Sequence, residues 1–286
     1  MNEYTYIETI SPEKAQEYLT RNKSNRPVNN GVVDFYAEQM KAGNWRLNGQ
    51  GISFFENGNL SDGQHRLLAI IKSGVSIRIN VTRGVANDCF PTYDQGRNRN
   101  ARDIFSIAEI KNAGKISSCV RYYILNCNNY SPLSAISTNR SKGKQGISTS
   151  QLLDTYNSHP IDFQTAVRIG ERTTDESRLI HAREVSGIIA YLHIALGHNW
   201  ETCEKFFYAI DRENVSTDCN SVKLLRKILI REKLGTVRKL TPLYKGQLII
   251  KAWNDMIMGH NTRKALRWEE QREGRLAFAT PIIEEL

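Results

Sequence analysis

Five consecutive residues early in the chain combine side chains that bind phosphate with side chains that move protons: Asp62-Gly63-Gln64-His65-Arg66. An apolar run over residues 67–71 follows at once and has helical character. A polar turn at the start of a helix brings backbone N–H groups and side-chain donors together, and anions bind readily at such a point. The segment therefore predicts a site for a nucleotide or a phosphate.

Residue types within this turn suggest roles, and we predict Asp62, His65 and Arg66 as catalytic. Arg66 offers a planar fork for two phosphate oxygens, and Gly63 lets the backbone approach closely. His65 would donate to a phosphate oxygen or act as acid or base, and Asp62 would bind Mg²⁺ or accept a proton. The alternative is structural: Asp62 caps the helix, while His65 and Arg66 are solvated residues of its first turn.

A second charged cluster precedes another predicted helix that begins near residue 101. Arg97 and Arg99, with Arg102 behind them, would clamp a nucleotide or touch a nucleic-acid backbone. Asp94 would supply a second ligand for the metal. The alternative is an exposed basic face with local ion pairing to Asp103, which contributes little energy.

Two further regions carry candidate binding residues. Asn48 lies in a turn-forming Asn-Gly pair, and the same loop would hold a base or a ribose. In the C-terminal half, an amphipathic helix is predicted over about 220–234. Its basic side chains are predicted to contact nucleic acid, with a solvated helix face as the alternative: Lys223, Arg226, Lys227 and Arg231.

Composition narrows the class of protein. The 286 residues are 40% hydrophobic and 24% charged, with a formal net charge of +9, so a polyanionic partner such as DNA is plausible. There is no apolar run of ~18 residues, so no membrane partner is expected, and no signal peptide is evident. Five cysteines without a CxxC pair favour a reducing, cytoplasmic setting. The sequence assigns no oligomeric state.

Strand patterns occur early in the chain and helical patterns dominate its later part. Strands are predicted at 52–55 and 76–81, with a hairpin turn at 57–58. Helices are predicted at about 12–21, 32–42, 67–73, 113–128, 149–157, 162–171, 179–196, 200–212, 220–234 and 244–258. We therefore expect an α+β fold with a small domain over residues 1–110 and an all-helical domain over residues 111–286.

The order of features over residues 8–110 resembles the ParB N-terminal/sulfiredoxin-like superfamily, in particular its phage and mobile-element branch. Three features carry this resemblance: the Met40-Lys41-Ala42-Gly43-Asn44-Trp45 helix end, the Asp62–Arg66 turn and the arginine-rich run over residues 94–103. It implies a compact α+β domain in which Gly63, Gln64, His65 and Arg66 hold nucleotide phosphates. Members of this superfamily use ATP, ADP or CTP.

Two departures from the family pattern limit the implied activity. Sulfiredoxins carry a cysteine where this chain has Gln64, so sulfinate reduction is not expected. ParB proteins have a more arginine-rich box, and this chain has His65 at a position where that box has an arginine. ParB proteins also have a helix-turn-helix, which we do not identify in this sequence. The resulting hypothesis is a protein that binds ATP or another nucleoside triphosphate with Mg²⁺, hydrolyses it or transfers a phosphoryl group, and acts in connection with DNA. The alternatives are a ParB-like DNA-binding protein that uses nucleotide only as a switch, or a nuclease.

Overall fold

A computed structural model of the chain describes residues 3–23, 25, 27–87, 100–128, 147–214 and 217–281. Within these ranges the chain has an α+β fold with a four-stranded mixed sheet and twelve α-helices. Its contacts divide it into two compact units: Met1–Asn98 with Ile136–Gln151, and Arg99–Ala135 with Leu152–Leu286. In the described part, no helix combines the length and the apolar character needed to cross a membrane.

The first unit contains the whole sheet and three helices. Its elements are β1 (Tyr4–Ile10), α1 (Pro12–Leu19), α2 (Asn30–Lys41), β2 (Ile52–Phe55), β3 (Leu60–Asp62), α3 (Gln64–Ser73) and β4 (Ile77–Val85). The strand order is β1-β4-β2-β3. β1 runs antiparallel to β4, β2 runs parallel to β4, and β3 pairs antiparallel with β2. The predicted strands and the hairpin between β2 and β3 are confirmed.

The core of this unit fixes the position of α3. Along β4, the alternate residues Ile77, Ile79 and Val81 are buried, as the period-two pattern predicts. They share one apolar cluster with Leu67 and Ile70 of α3. Because α3 is anchored along its apolar side, its N-terminus is held where β3 ends.

The sequence patterns did not predict two of the four strands. β1 lies at the edge of the sheet and only Ile10 among its residues is buried, so its apolar alternation is weak. β3 is three residues long, too short to show a period. Ser11 caps α1 by accepting the Lys14 N–H at 3.2 Å, and the Trp45 ring packs edge-on against that of Tyr36 in α2, with 5.2 Å between the ring centres.

The second unit is helical. Its elements are α4 (Ala101–Ile107), α5 (Ala113–Cys127), most of α6 (Thr149–Ser158), α7 (Pro160–Arg172), α8 (Ala182–Ala190), a π-helix (Tyr191–Ala195), α9 (Trp200–Asp211), α10 (Asn220–Lys233), α11 (Pro242–Ile257) and α12 (Glu270–Glu273). The start of α6, as far as Gln151, belongs to the first unit. The predicted helices of this region are confirmed with small shifts at their ends. The predicted 179–196 helix changes to π geometry at Tyr191. Phe206, Phe207 and Trp253 are buried in the core, as the helical apolar pattern indicates.

Candidate functional site

The Asp62–Arg66 turn joins the end of β3 to the start of α3, and it depends on a glycine. Gly63 has a φ of 107°. A Cβ at this position would lie 2.9 Å from Ile52 Cγ1 and 3.1 Å from Ile52 Cα. Only glycine fits both the left-handed backbone and the contact with β2.

Gly63 is itself the N-cap residue of α3 and has no side chain that could cap the helix. The alternative interpretation of Asp62 as a helix cap is therefore wrong. The first N–H groups of a helix lack intrahelical partners and carry partial positive charge, which makes this end of α3 suited to an anion.

The Arg66 guanidinium is held in place by three hydrogen bonds. Nη1 donates to Gly51 O at 3.0 Å and to Asp62 Oδ2 at 3.1 Å, and Nη2 donates to Gln50 Oε1 at 3.1 Å. The Arg66 side chain is 13% exposed, whereas that of Asp62 is 45% exposed. A guanidinium has more N–H donors than these bonds use, so Arg66 retains donors for a ligand oxygen.

Arg66 contacts the segment that contains Asn48. The backbone of this segment approaches β4 so closely that a Cβ on Gly51 would lie 2.2 Å from Asn80 O. The Asn80 side chain donates to Asn48 O at 2.6 Å, and Asn48 Oδ1 accepts the Gln50 N–H at 2.8 Å. The structure therefore brings the predicted Asn48 loop and Arg66 into one connected network.

Gln64 and His65 face the protein interior. Their side chains are buried, with 4% and 8% of the residue surface exposed. Gln64 Oε1 accepts from Asn22 Nδ2 at 3.2 Å, and His65 Nε2 accepts the Asn29 backbone N–H at 2.9 Å. The interpretation of His65 as a solvated first-turn residue is wrong. Because Nε2 accepts this bond, it carries no proton to give to a ligand in the same arrangement.

Three residues of this network were missed by sequence reasoning: Asn22, Asn29 and Gln50. Asn25, a neighbour in the same polar segment, donates to Asn22 Oδ1 at 2.7 Å and to Leu60 O at 3.0 Å. The density of asparagines between α1 and α2 was the available signal. It indicated a turn-rich segment but not its attachment to the Asp62–Arg66 turn.

Three predicted site residues lie outside the described residues: Asp94, Arg97 and Arg99. The described residue that follows them, Asn100, caps α4. It forms a reciprocal capping box with Asp103, at 3.1 Å and 2.9 Å. Arg102 of α4 is exposed. Over the described ranges, no group of three or more His, Cys, Asp or Glu residues is placed to hold a metal ion. Asp62 is therefore the one predicted metal ligand whose position can be stated.

The four residues predicted to contact nucleic acid line one cavity in the second unit. The cavity has a volume of about 520 Å³ and lies between the C-terminal end of α9 and one face of α10. Its described lining residues are Ala209, Arg212, Glu213, Thr217, Lys223, Arg226, Lys227, Ile230 and Arg231. The predicted helix face is therefore the wall of a concave, strongly basic surface.

Comparison with protein-family models, with curated proteins and with solved structures finds no match to this chain. The function of the chain is therefore inferred from the geometry of the turn and the cavity.

Proposed function

We propose that this chain binds a nucleoside triphosphate at the Asp62–Arg66 turn. We further propose that it hydrolyses ATP or CTP, or transfers a phosphoryl group, in connection with DNA. The observation that carries the proposal is Gly63. Its backbone geometry and its contact with Ile52 fix the N-terminus of α3 next to the Arg66 guanidinium. A helix N-terminus beside an arginine fork suits the oxygens of a phosphate.

Phosphoryl transfer depends mainly on positioning and charge neutralisation, which assigns roles to the residues of the turn. The Arg66 donors not used by Gly51, Asp62 and Gln50 would hold phosphate oxygens. Asp62 Oδ1 has no partner among the described residues, and its exposure suits it to Mg²⁺, which is commonly held by one or two carboxylates and substrate phosphates. His65 would position the turn through Asn29 rather than touch the phosphate.

The remaining predicted residues complete this proposal from the sequence. Asn48 is exposed in the loop that Arg66 holds, so it would contact the base or the ribose. Arg97 and Arg99 would add charge around the phosphates, and Asp94 would be the second metal ligand. The roles of Arg97, Arg99 and Asp94 are proposed from their residue types and their order in the chain, and this order also resembles that of the ParB N-terminal/sulfiredoxin-like superfamily.

Thermal unfolding with and without nucleotide tests this function. With Mg²⁺ and a hundredfold excess over Kd, ATP or CTP should stabilise the protein by about 2.7 kcal/mol, which raises Tm. Arg66→Gln should remove most of this shift. Arg78→Gln is the matched control, because Arg78 is exposed on β4 and loses the same charge. If no nucleotide raises Tm, or if both variants respond alike, the proposal is wrong.

A second candidate is a DNA-binding protein in which nucleotide acts only as a switch. The basic cavity of the second unit favours it, since four predicted DNA-contacting residues line one surface. Phosphate release separates the two candidates: a switch protein binds nucleotide and changes its affinity for DNA without turnover. The nuclease alternative has no comparable supporting observation.

A further inference from the structure

Three cations are evenly spaced along one face of α10. Lys223, Lys227 and Arg231 follow one another at intervals of four residues, which is ~6 Å along a helix axis. All three are exposed. Within the described part of the chain, no carboxylate lies within salt-bridge distance of any of them. This spacing is close to the separation of successive phosphates along a nucleic-acid strand.

Two further cations of the cavity, Arg226 of α10 and Arg212 at the end of α9, are already held in place by hydrogen bonds. Arg226 Nη1 donates to Ile210 O at 3.0 Å and to Asp211 O at 3.1 Å, and so closes the C-terminal end of α9. Arg212 Nη2 donates to Asp175 Oδ1 at 2.9 Å, and its guanidinium lies 4.4 Å from the centre of the Tyr208 ring. Arg226 therefore adds positive charge at a fixed position, whereas the charge of Arg212 is paired with that of Asp175.

The described lining residues of the cavity are unbalanced in charge. Against its five basic side chains stands one carboxylate, that of Glu213. Like charges four residues apart on a helix repel, so this face is in a less favourable electrostatic state without an anion. Ala209 and Ile230 add apolar surface that suits sugar carbons rather than a free inorganic ion.

We propose that a nucleic-acid strand runs along α10 through this cavity, with successive phosphates on Lys223, Lys227 and Arg231. The recognised chemistry is the phosphodiester backbone, which single-stranded DNA, RNA or one strand of a duplex can supply. The lining includes no aromatic residue among those described, so the cavity contacts backbone rather than stacking bases. This inference takes from the proposed function only the expectation that the partner is a nucleic acid. Strand binding in the cavity does not require a nucleotide at the Asp62–Arg66 turn.

Fluorescence anisotropy with a labelled 20-nucleotide single-stranded DNA tests this site, and RNA and duplex DNA of the same sequence identify the source of the strand. For three phosphate contacts, the slope of log K against log salt should be about −2 on a single strand. Lys227→Glu should weaken binding at least tenfold, and Lys227→Gln should reduce the steepness of the slope by about 0.7. Lys111→Glu makes the same charge change at an exposed residue outside the cavity and should change Kd by less than twofold.

Several outcomes would overturn the inference. These are equal effects of Lys227→Glu and Lys111→Glu, affinity that does not depend on salt, or tripolyphosphate that binds this cavity more tightly than any strand. Arg66→Gln should leave strand affinity unchanged. Loss of strand binding in Arg66→Gln would place the strand at the turn and overturn the cavity assignment. If nucleotide fails to raise Tm but the strand still binds the cavity, the proposed function is wrong and the inference about the cavity stands.

Discussion

Replacing Gly63 by alanine tests the geometry of the turn most sharply. The new Cβ would lie 2.9 Å from Ile52 Cγ1 and 3.1 Å from Ile52 Cα, at a φ of 107°. The left-handed backbone costs an L-residue about 1–2 kcal/mol, and crowding in a packed interior adds about 1–3 kcal/mol. We therefore expect Gly63→Ala to lower the free energy of unfolding by about 2–5 kcal/mol.

Gly58 in the hairpin between β2 and β3 provides the matched control for this substitution. Its φ is 80°, but nothing lies within 4 Å of an added Cβ. Gly58→Ala should therefore show only the backbone cost of about 1–2 kcal/mol. Urea unfolding followed by circular dichroism measures both variants. Equal destabilisation of the two would refute the claim that Gly63 is packed against β2.

Three further predictions concern buried polar groups, and urea unfolding measures each of them. His65→Ala leaves the Asn29 N–H without its acceptor and should cost about 1–3 kcal/mol at pH 7; no change would remove the assigned positioning role. Burial lowers the pKa of His198, so protonation favours the unfolded chain as pH falls below about 6.5, and His198→Gln should flatten the loss of stability between pH 7 and 5. Burial alone would raise the pKa of Asp255, but hydrogen bonds from Arg263 and Ser221 hold it below its usual range. The stability that Asp255 contributes is therefore present above pH ~3.9 and lost below it, so Arg263→Met should destabilise by about 2–3 kcal/mol at pH 7 and by much less near pH 2.5.

Elements with a strong local period were predictable from the sequence. α10 and α11 show apolar stripes at helical spacing, and the first half of β4, residues 77–81, alternates between buried and more exposed side chains, so each pattern by itself predicts the element. β1 and β3 were not predictable, because an exposed edge strand and a three-residue strand have little periodic signal. The π-helix was not predictable either, since its residues continue the helical pattern of α8.

Part of the turn follows from local rules and part does not. Asp62 and Arg66 are only four residues apart across the turn, so their ion pair was accessible from the sequence even though Asp62 belongs to β3 and not to the helix. The partners of Gln64 and His65 are Asn22 and Asn29, far away in the chain. From their residue types, Gln64 and His65 were predicted to bind phosphate. Their burial and their hydrogen bonds show instead that they connect the turn to the segment between α1 and α2.

Part of the basic cavity was likewise predictable from the sequence, and part was not. The four-residue spacing of Lys223, Lys227 and Arg231 placed them on one helix face. The concave shape arises from Ala209 and Arg212, which come from a different segment. A helical pattern describes one helix and contains no information on the shape of the surface that a second helix creates beside it.

Isothermal titration calorimetry with Mg²⁺ and ATP or CTP tests the central claim most directly. We expect saturable binding at one site per chain for one of these nucleotides, with Arg66→Gln weakening the affinity at least tenfold and Arg78→Gln leaving it unchanged. The absence of binding heat with every nucleotide, or equal affinities for wild type and Arg66→Gln, would contradict it.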